Sequence, residues 1–330
     1  MKSLKQILLE RLFVWEGAGK LRAALTLSFT AIGITLCSTG QEPLPFTISD
    51  NVNLVLLDVS VKGAHGGYAT DLKRGNFQVF DNDQERTITH FSSVDVPVTI
   101  GLIVDNSGSM RAKRPETISA GLAFAKESNP QDEFFVVNFN NTVVPGLPRH
   151  LAFTDNLQIL RTALYYGEPV GQTALYDAIA YGLKHLELSH RDKRTLVVVS
   201  DGGDNVSMVK LPDLLRLLES SRATVYTVGL YDPEDRNTHL AVLKKLSRIS
   251  GGRFFQPATA ADIGPVFDRI ARDIRNCYTL GYTPDTSNAN RDTHTVKVIA
   301  RENGRKLEVR TRTSYSISPS PYVTGHRDRN

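Results

Sequence analysis

The chain of 330 residues has only two cysteines, Cys37 and Cys277. So few thiols exclude a disulfide framework and a cysteine-built zinc site. A membrane span needs about 20 apolar residues; the uncharged, mostly apolar stretch from Ala23 to Cys37 has fifteen. The phosphate-cradling patterns G-x-G-x-x-G and G-x-x-x-x-G-K-[ST] are missing. So is the G-x-S-x-G turn that presents a nucleophilic serine. Neither sign of charge dominates: 39 Lys+Arg stand against 35 Asp+Glu. An apolar share of 41% and a charged share of 22% exclude wholesale disorder, collagen and coiled coil.

Residues 1–40 differ from the rest. Lys2, Lys5, Arg11, Lys20 and Arg22 form a basic leader, followed by the Ala23–Cys37 run and small residues at Ser38-Thr39-Gly40. That is the three-part layout of an export signal, with an uncleaved N-terminal anchor as the alternative. The segment holds five Lys/Arg and two Asp/Glu, so three of the four excess positive charges belong to it. The remaining chain is nearly neutral and has no basic stripe with interleaved aromatics, so a nucleic-acid reading loses its main support and no nucleic-acid partner is expected. The expected location is therefore outside the cytoplasm: periplasm, cell envelope or medium. With residues 1–40 removed, Cys277 is the last thiol. It is expected to be a buried structural residue closing a helix-like stretch with Ile270 and Ile274.

After a short linker, residues 41–96 read as β structure. Val52–Val61 is a branched run, and Phe77–Phe80 and Thr87–Phe91 flank the polar turn Asp81-Asn82-Asp83-Gln84. Residues 97–277 change character. Val98–Val104, Phe134–Phe139, Thr195–Ser200 and Thr224–Leu230 are near-continuous apolar strands, the type buried on both faces of a parallel sheet. Helical spacing separates them, over Arg114–Ser128, Ala174–Leu188, Leu211–Ser221 and His239–Ser250, with a last helix over Thr259–Asn276. This alternation predicts an α/β fold with a doubly wound, mainly parallel sheet. Residues 278–314 return to β, with Asn303-Gly304 as a hairpin turn and Lys306–Thr313 as the return strand. The two flanking segments are too small to hold a core alone and are expected to pair into one small β-sandwich. Residues 315–330 are expected to be a disordered tail.

Three polar loops fall at the carboxyl ends of the buried strands, the edge where open α/β sheets bind ligands. Asp105-Asn106-Ser107-Gly108-Ser109 follows the first strand, Gly171-Gln172-Thr173 precedes a helix, and Asp201 follows Ser200. D-x-S-x-S alone is also what a polar turn contains. Together, Asp105, Ser107, Ser109, Thr173 and Asp201 supply three hydroxyls and two carboxylates, an oxygen set suited to Mg²⁺, with Mn²⁺ and Ca²⁺ as alternatives. Low charge around such a metal leaves it electrophilic and open to an acidic group from outside.

These five residues match the pattern of a von Willebrand factor type A domain with a metal-ion-dependent adhesion site. The wider layout, with a β block before Asp105-Asn106-Ser107-Gly108-Ser109-Met110 and Tyr278-Thr279-Leu280-Gly281-Tyr282 after the α/β region, resembles the bacterial "VWFA-related" exported proteins of Acidobacteria. The resemblance covers residues 50–314. It implies that Ser107 and Ser109 bind the metal directly. By the same resemblance, Asp105 and Asp201 are expected to act partly through water, and Thr173 to join according to conformational state. It also implies a protein partner presenting Asp or Glu.

None of the eight histidines lies in the three loops, so a hydrolase fits poorly. The expected function is a metal-dependent protein-binding or adhesion module, not an enzyme. A metal-dependent envelope hydrolase and a structural protein merely stabilised by its metal are the alternatives. Asp204 and Asn205 are read as the turn after the strand, with tuning of partner choice at the metal edge as the alternative, and Asp177 as a first-turn or supporting residue. Tyr165-Tyr166 is read as either core or contact surface.

Overall fold

The computed structural model of the chain describes residues 54–63, 66–230, 240–285 and 293–317. The leader assigned to residues 1–40 lies outside them. No helix of the described residues is long and apolar enough to cross a membrane.

Four strands come first: β1 (Val55–Lys62), β2 (Phe77–Asp81), β3 (Gln84–Arg86) and β4 (His90–Ser92). Asn82 and Asp83 both take positive φ, 49° and 63°, which is the backbone of a two-residue hairpin turn. The return strand therefore begins at Gln84, opposite Asp81. The strand expected over Thr87–Phe91 is displaced by this turn. Buried Ile88 instead carries the chain across to a second sheet, where β4 pairs.

Next come β5 (Val98–Asp105), α1 (Arg114–Glu127), β6 (Glu133–Phe139), β7 (Val143–Pro145), α2 (Leu157–Tyr165) and α3 (Leu175–His185). They are followed by β8 (Lys193–Ser200), α4 (Leu211–Ser220), β9 (Thr224–Gly229), α5 (Leu240–Ser250), β10 (Phe254–Phe255) and α6 (Ile263–Arg275). The sheet order is β10-β9-β8-β5-β6-β7. All pairs are parallel except β6 with β7. β7 ends on Pro145, which cannot donate to a further ladder, as suits an edge. β5 is buried along its whole length. It lies between β6 and β8, where strand order reverses. Asn156 caps α2, its side chain accepting from the Gln158 and Ile159 amides.

The chain closes with β11 (Cys277–Tyr282), β12 (Thr293–Glu302), β13 (Arg305–Lys306), β14 (Glu308–Arg310) and β15 (Ser314–Ser316). Cys277 opens β11 instead of closing a helix, because α6 ends at Arg275. One sheet runs β14-β1-β11-β4, the other β13-β12-β2-β3 with β15 also on β12. Period-2 alternation turns Leu57, Val59, Leu280 and Tyr282 of the first towards Val79, Val296, Val298 and Ala300 of the second. This core is separate from that of the α/β region. Segments from both ends of the described chain thus build one small β-sandwich.

Two further differences from the expectation share one cause, burial of single apolar side chains. The return strand over Lys306–Thr313 is divided, because Leu307 turns into the sandwich core. Its amide still bonds the Ala300 carbonyl on β12, but Glu308–Arg310 goes over to β1. Of the tail expected from residue 315, residues 315–317 are described and begin within β15, while 318–330 lie outside the described residues. Tyr315 is buried, its ring stacks on His294 at 4.9 Å, and its hydroxyl donates to Asp81 Oδ2 at 2.8 Å. Asp81 is itself fully buried, so losing this donor leaves a carboxylate short of a partner. Tyr315→Phe is expected to cost about 1–3 kcal/mol, read as a lower urea midpoint at unchanged slope. No change in midpoint would show that the hydroxyl contributes nothing.

The sandwich meets the amino-terminal ends of the parallel strands. Asp58 and Ser60 of β1 share a water-sized cavity of about 10 Å³ with Lys193, Thr195, Thr224 and Cys277. Burial raises the Asp58 carboxyl. It pushes the Cys277 thiol up to about 12, so the sulfur stays protonated and donates to the Asp273 carbonyl. Arg312 is lowered to about 10 by burial. Its Nη2 caps the end of α4, donating to the Leu218 and Ser221 carbonyls.

Candidate metal centre

Register places the carboxylates. β5 and β8 pair in parallel up to Val104 opposite Val199, which sets Asp105 beside Ser200 and Asp201 just beyond. Ser200 Oγ donates to Asp105 Oδ2 at 2.6 Å. The Ser107 amide donates to Asp105 Oδ1 at 2.8 Å. Ser107 Oγ and Ser109 Oγ are 3.1 Å apart, and Ser109 Oγ donates to Asp201 Oδ2 at 2.5 Å. The Gly203 amide holds Asp201 Oδ1 at 3.1 Å. Asp105, Ser107, Ser109 and Asp201 therefore form one connected patch of oxygens at the carboxyl edge of the sheet.

Thr173 reaches this edge through its backbone. The Gly108 amide donates to the Gly171 carbonyl at 3.2 Å, joining the two loops. The Thr173 amide donates to Asn205 Oδ1, and the Asn205 amide returns a bond to the Thr173 carbonyl. The Thr173 residue is buried, and its side chain makes none of the hydrogen bonds that connect the other four. Gly171 has φ of +85°, and a Cβ there would lie 1.9 Å from Asn141 Oδ1. Only glycine follows that path while Asn141 holds the Gln172 amide.

The electrostatics suit a cation. Burial pushes the Asp105 carboxyl up to about 6, and the nearby Asp201 adds to the rise; bonds from Ser107 and Ser200 oppose it. Positive charge placed among these oxygens would favour the ionised form. The donor chemistry fits as well. Adjacent ligands of octahedral Mg²⁺, at bonds of about 2.1 Å, stand about 3 Å apart, close to the Ser107–Ser109 separation of 3.1 Å. Among the described residues no group of three or more His, Cys, Asp or Glu converges on a metal position. This patch combines two carboxylates with hydroxyls instead, which points to a hard cation.

The model for the von Willebrand factor type A domain matches residues 100–203. Those residues form a von Willebrand factor type A domain. The chain is also similar to solved structures. The von Willebrand factor type A protein from Catenulispora acidiphila is 11% identical over 80% of this chain and 73% of that chain, with a TM-score of 0.49. The corresponding domain of the type V pili tip protein Mfa5 from Porphyromonas gingivalis is 16% identical over 55% and 96%, at 0.44. Proximal thread matrix protein 1 from the mussel byssus, solved with a zinc-occupied MIDAS motif, is 14% identical over 55% and 49%, at 0.44. No curated protein matches the chain.

Several residues that support the type A domain's polar edge were not evident as such from sequence. Ser200 was visible only as the end of a strand, yet it fixes Asp105. Asp204 and Asn205 do more than turn the chain. Asn205 holds Thr173, and Asp204 accepts from the Tyr176 amide at the start of α3 and from Ser207 Oγ. Asp177 accepts from the Met208 and Val209 amides at 3.0 and 2.8 Å. It therefore ties α3 to the loop after Asp201. Tyr165 and Tyr166 are both more than half exposed, which settles them as surface residues.

Proposed function

We propose that Asp105, Ser107, Ser109, Thr173 and Asp201 hold a divalent cation, Mg²⁺ by preference. Through it the exported protein binds an Asp or Glu side chain of a partner protein. The observation that carries this reading is the convergence of two carboxylates with Ser107 and Ser109 at the carboxyl edge of β5 and β8. The metal would supply an electrophilic position for an acidic group. The surface around it supports a docking role. Tyr165 at the end of α2, Tyr166 and Val170 on the loop leading to Thr173, and Met208 on the loop after Asp201 are large exposed apolar residues. A carboxylate flanked by apolar side chains suits that surface.

Binding is favoured over catalysis by the state of the neighbouring carboxylates. Asp204 and Asp177 are both engaged with backbone amides, so neither is poised as a general base. Export rests on the leader-like residues 1–40. The test is partner capture from an envelope extract, using wild type and Asp105→Ala with Mg²⁺ or EDTA. Capture by wild type with Mg²⁺ only is expected; equal capture in all four conditions would overturn the reading.

Ser200→Ala separates support from ligation. Residues that orient metal ligands typically contribute 10–100-fold to affinity. Ser200→Ala is expected to weaken Mg²⁺ binding by about that factor and to cost about 1–3 kcal/mol in EDTA, because Asp105 Oδ2 and the Gly202 amide each lose a partner. Unchanged affinity by calorimetry would remove Ser200 from the site.

A further inference from the structure

A second polar feature lies away from the metal edge. A cleft of about 300 Å³ opens between β1, the turn after it, α6 and β14. Five cationic side chains line it: Lys62, Arg253, Arg269, Arg272 and Arg310. Against them stand two carboxylates, Asp273 and Glu308, an excess of three positive charges. Both carboxylates are already engaged. Glu308 pairs with Lys62 at 2.7 Å. Asp273 accepts from Tyr68 and faces Arg310 Nη2 at 2.7 Å and Arg253 at 4.0 Å. The Arg310–Asp273 contact is an ion pair outside hydrogen-bond angles, so Asp273 Oδ2 still lacks a donor.

Three guanidinium groups keep unused donors. Arg310 Nη1 is buried with no hydrogen-bond partner. Arg269 has no hydrogen-bond or ion-pair partner among the described residues. Arg272, one turn further along α6, spends only its Nε on the Asp268 carbonyl. A buried guanidinium donor without an acceptor is costly. Like charges gathered in a cleft repel one another unless an anion enters.

We propose that this cleft binds a phosphate group carrying two or more negative charges, through the guanidinium groups of Arg269, Arg272 and Arg310. Guanidinium forks match phosphate oxygens in pairs, which an ammonium cannot do. The source is either a soluble phosphate or a phosphorylated lipid headgroup; the chemistry is shared. None of the lining residues belongs to the loops that carry Asp105, Thr173 or Asp201, so this site and the metal reading stand or fall separately.

The probe is sodium pyrophosphate, titrated by calorimetry into the full chain at low salt. EDTA is present so that no metal at Asp105 can take part. Saturable binding is expected. The double variant Arg269→Glu/Arg272→Glu, exposed on α6, should bind at least about 10-fold more weakly at an unchanged ligand-free melting temperature. Asp105→Ala should bind like wild type. Cosedimentation with phosphatidylcholine vesicles, with and without phosphatidic acid, distinguishes the sources. Capture by phosphatidic acid that pyrophosphate reverses assigns a lipid headgroup; pyrophosphate binding without capture assigns a soluble phosphate. Heats no larger than those of sodium chloride at equal ionic strength would overturn the proposal. So would equal affinity in the double variant.

Discussion

Millimolar Mg²⁺ is expected to raise the melting temperature of the wild-type chain and to leave that of Asp105→Asn where it was. A ligand that binds only the folded state at a hundredfold excess over Kd adds about 2.7 kcal/mol. Scaling from domains of 150–250 residues, that is about 5–10 °C. Asp105 is the residue to change because it is buried and fixed by Ser107 and Ser200. The asparagine keeps its shape and removes its charge, so the comparison isolates the electrostatic contribution. Asp105→Ala would add the cost of two unpaired donors, about 1–3 kcal/mol, and is the weaker control for stability. An equal rise in both proteins would place the cation elsewhere.

The largest loss of stability is expected at Gly252. The helix α5 ends into Gly251, whose φ of +86° is left-handed. At Gly252 a Cβ would lie 2.0 Å from the Val225 carbonyl oxygen and 2.6 Å from its carbon. Those atoms belong to β9 and cannot swing aside as a side chain could. Gly252→Ala should therefore cost about 3 kcal/mol or more. Gly264→Ala is the matched control. Nothing lies within 4 Å of a Cβ there, inside α6. The same substitution should be neutral or stabilising by up to about 1 kcal/mol. Urea unfolding of the two variants side by side decides the matter: indistinguishable midpoints would sink the steric account.

The α/β region was legible because its signal is redundant. Val98–Val104 and Thr195–Ser200 are apolar on both faces, and helical spacing separates them at regular intervals. Four of the five proposed ligands stand out for a related reason: Asp105 and Asp201 fall where a buried apolar run stops, with Ser107 and Ser109 in the loop that follows, whereas Thr173 only precedes a helix. The flanking β segments were harder to read. Their strands are three residues long or shorter at β3, β4, β13, β14 and β15, and one buried side chain decides which sheet each joins. Ile88, Leu307 and Tyr315 make those decisions through tertiary burial, which no local pattern encodes. Ser200 was missed because a serine ending a strand looks like the beginning of a loop. Only the register with β5 reveals that it faces Asp105.

The placement of the sandwich has a mechanical consequence. The chain enters the α/β region at Val98 and leaves it after α6 at Arg275, and both crossings meet the sandwich at the amino-terminal edge of the parallel strands. Asp105 and Asp201 stand at the other edge. Tension between a ligand held there and the rest of the protein would run lengthwise along β5 and β8. Their ladder bonds cross between strands, so such a pull loads them together in shear and does not unzip them one by one. At the far end the load passes into β1 and β11, joined over six residue pairs from Val55–Tyr282 to Ser60–Cys277. A carboxylate docked as proposed would thus pull against strands loaded lengthwise.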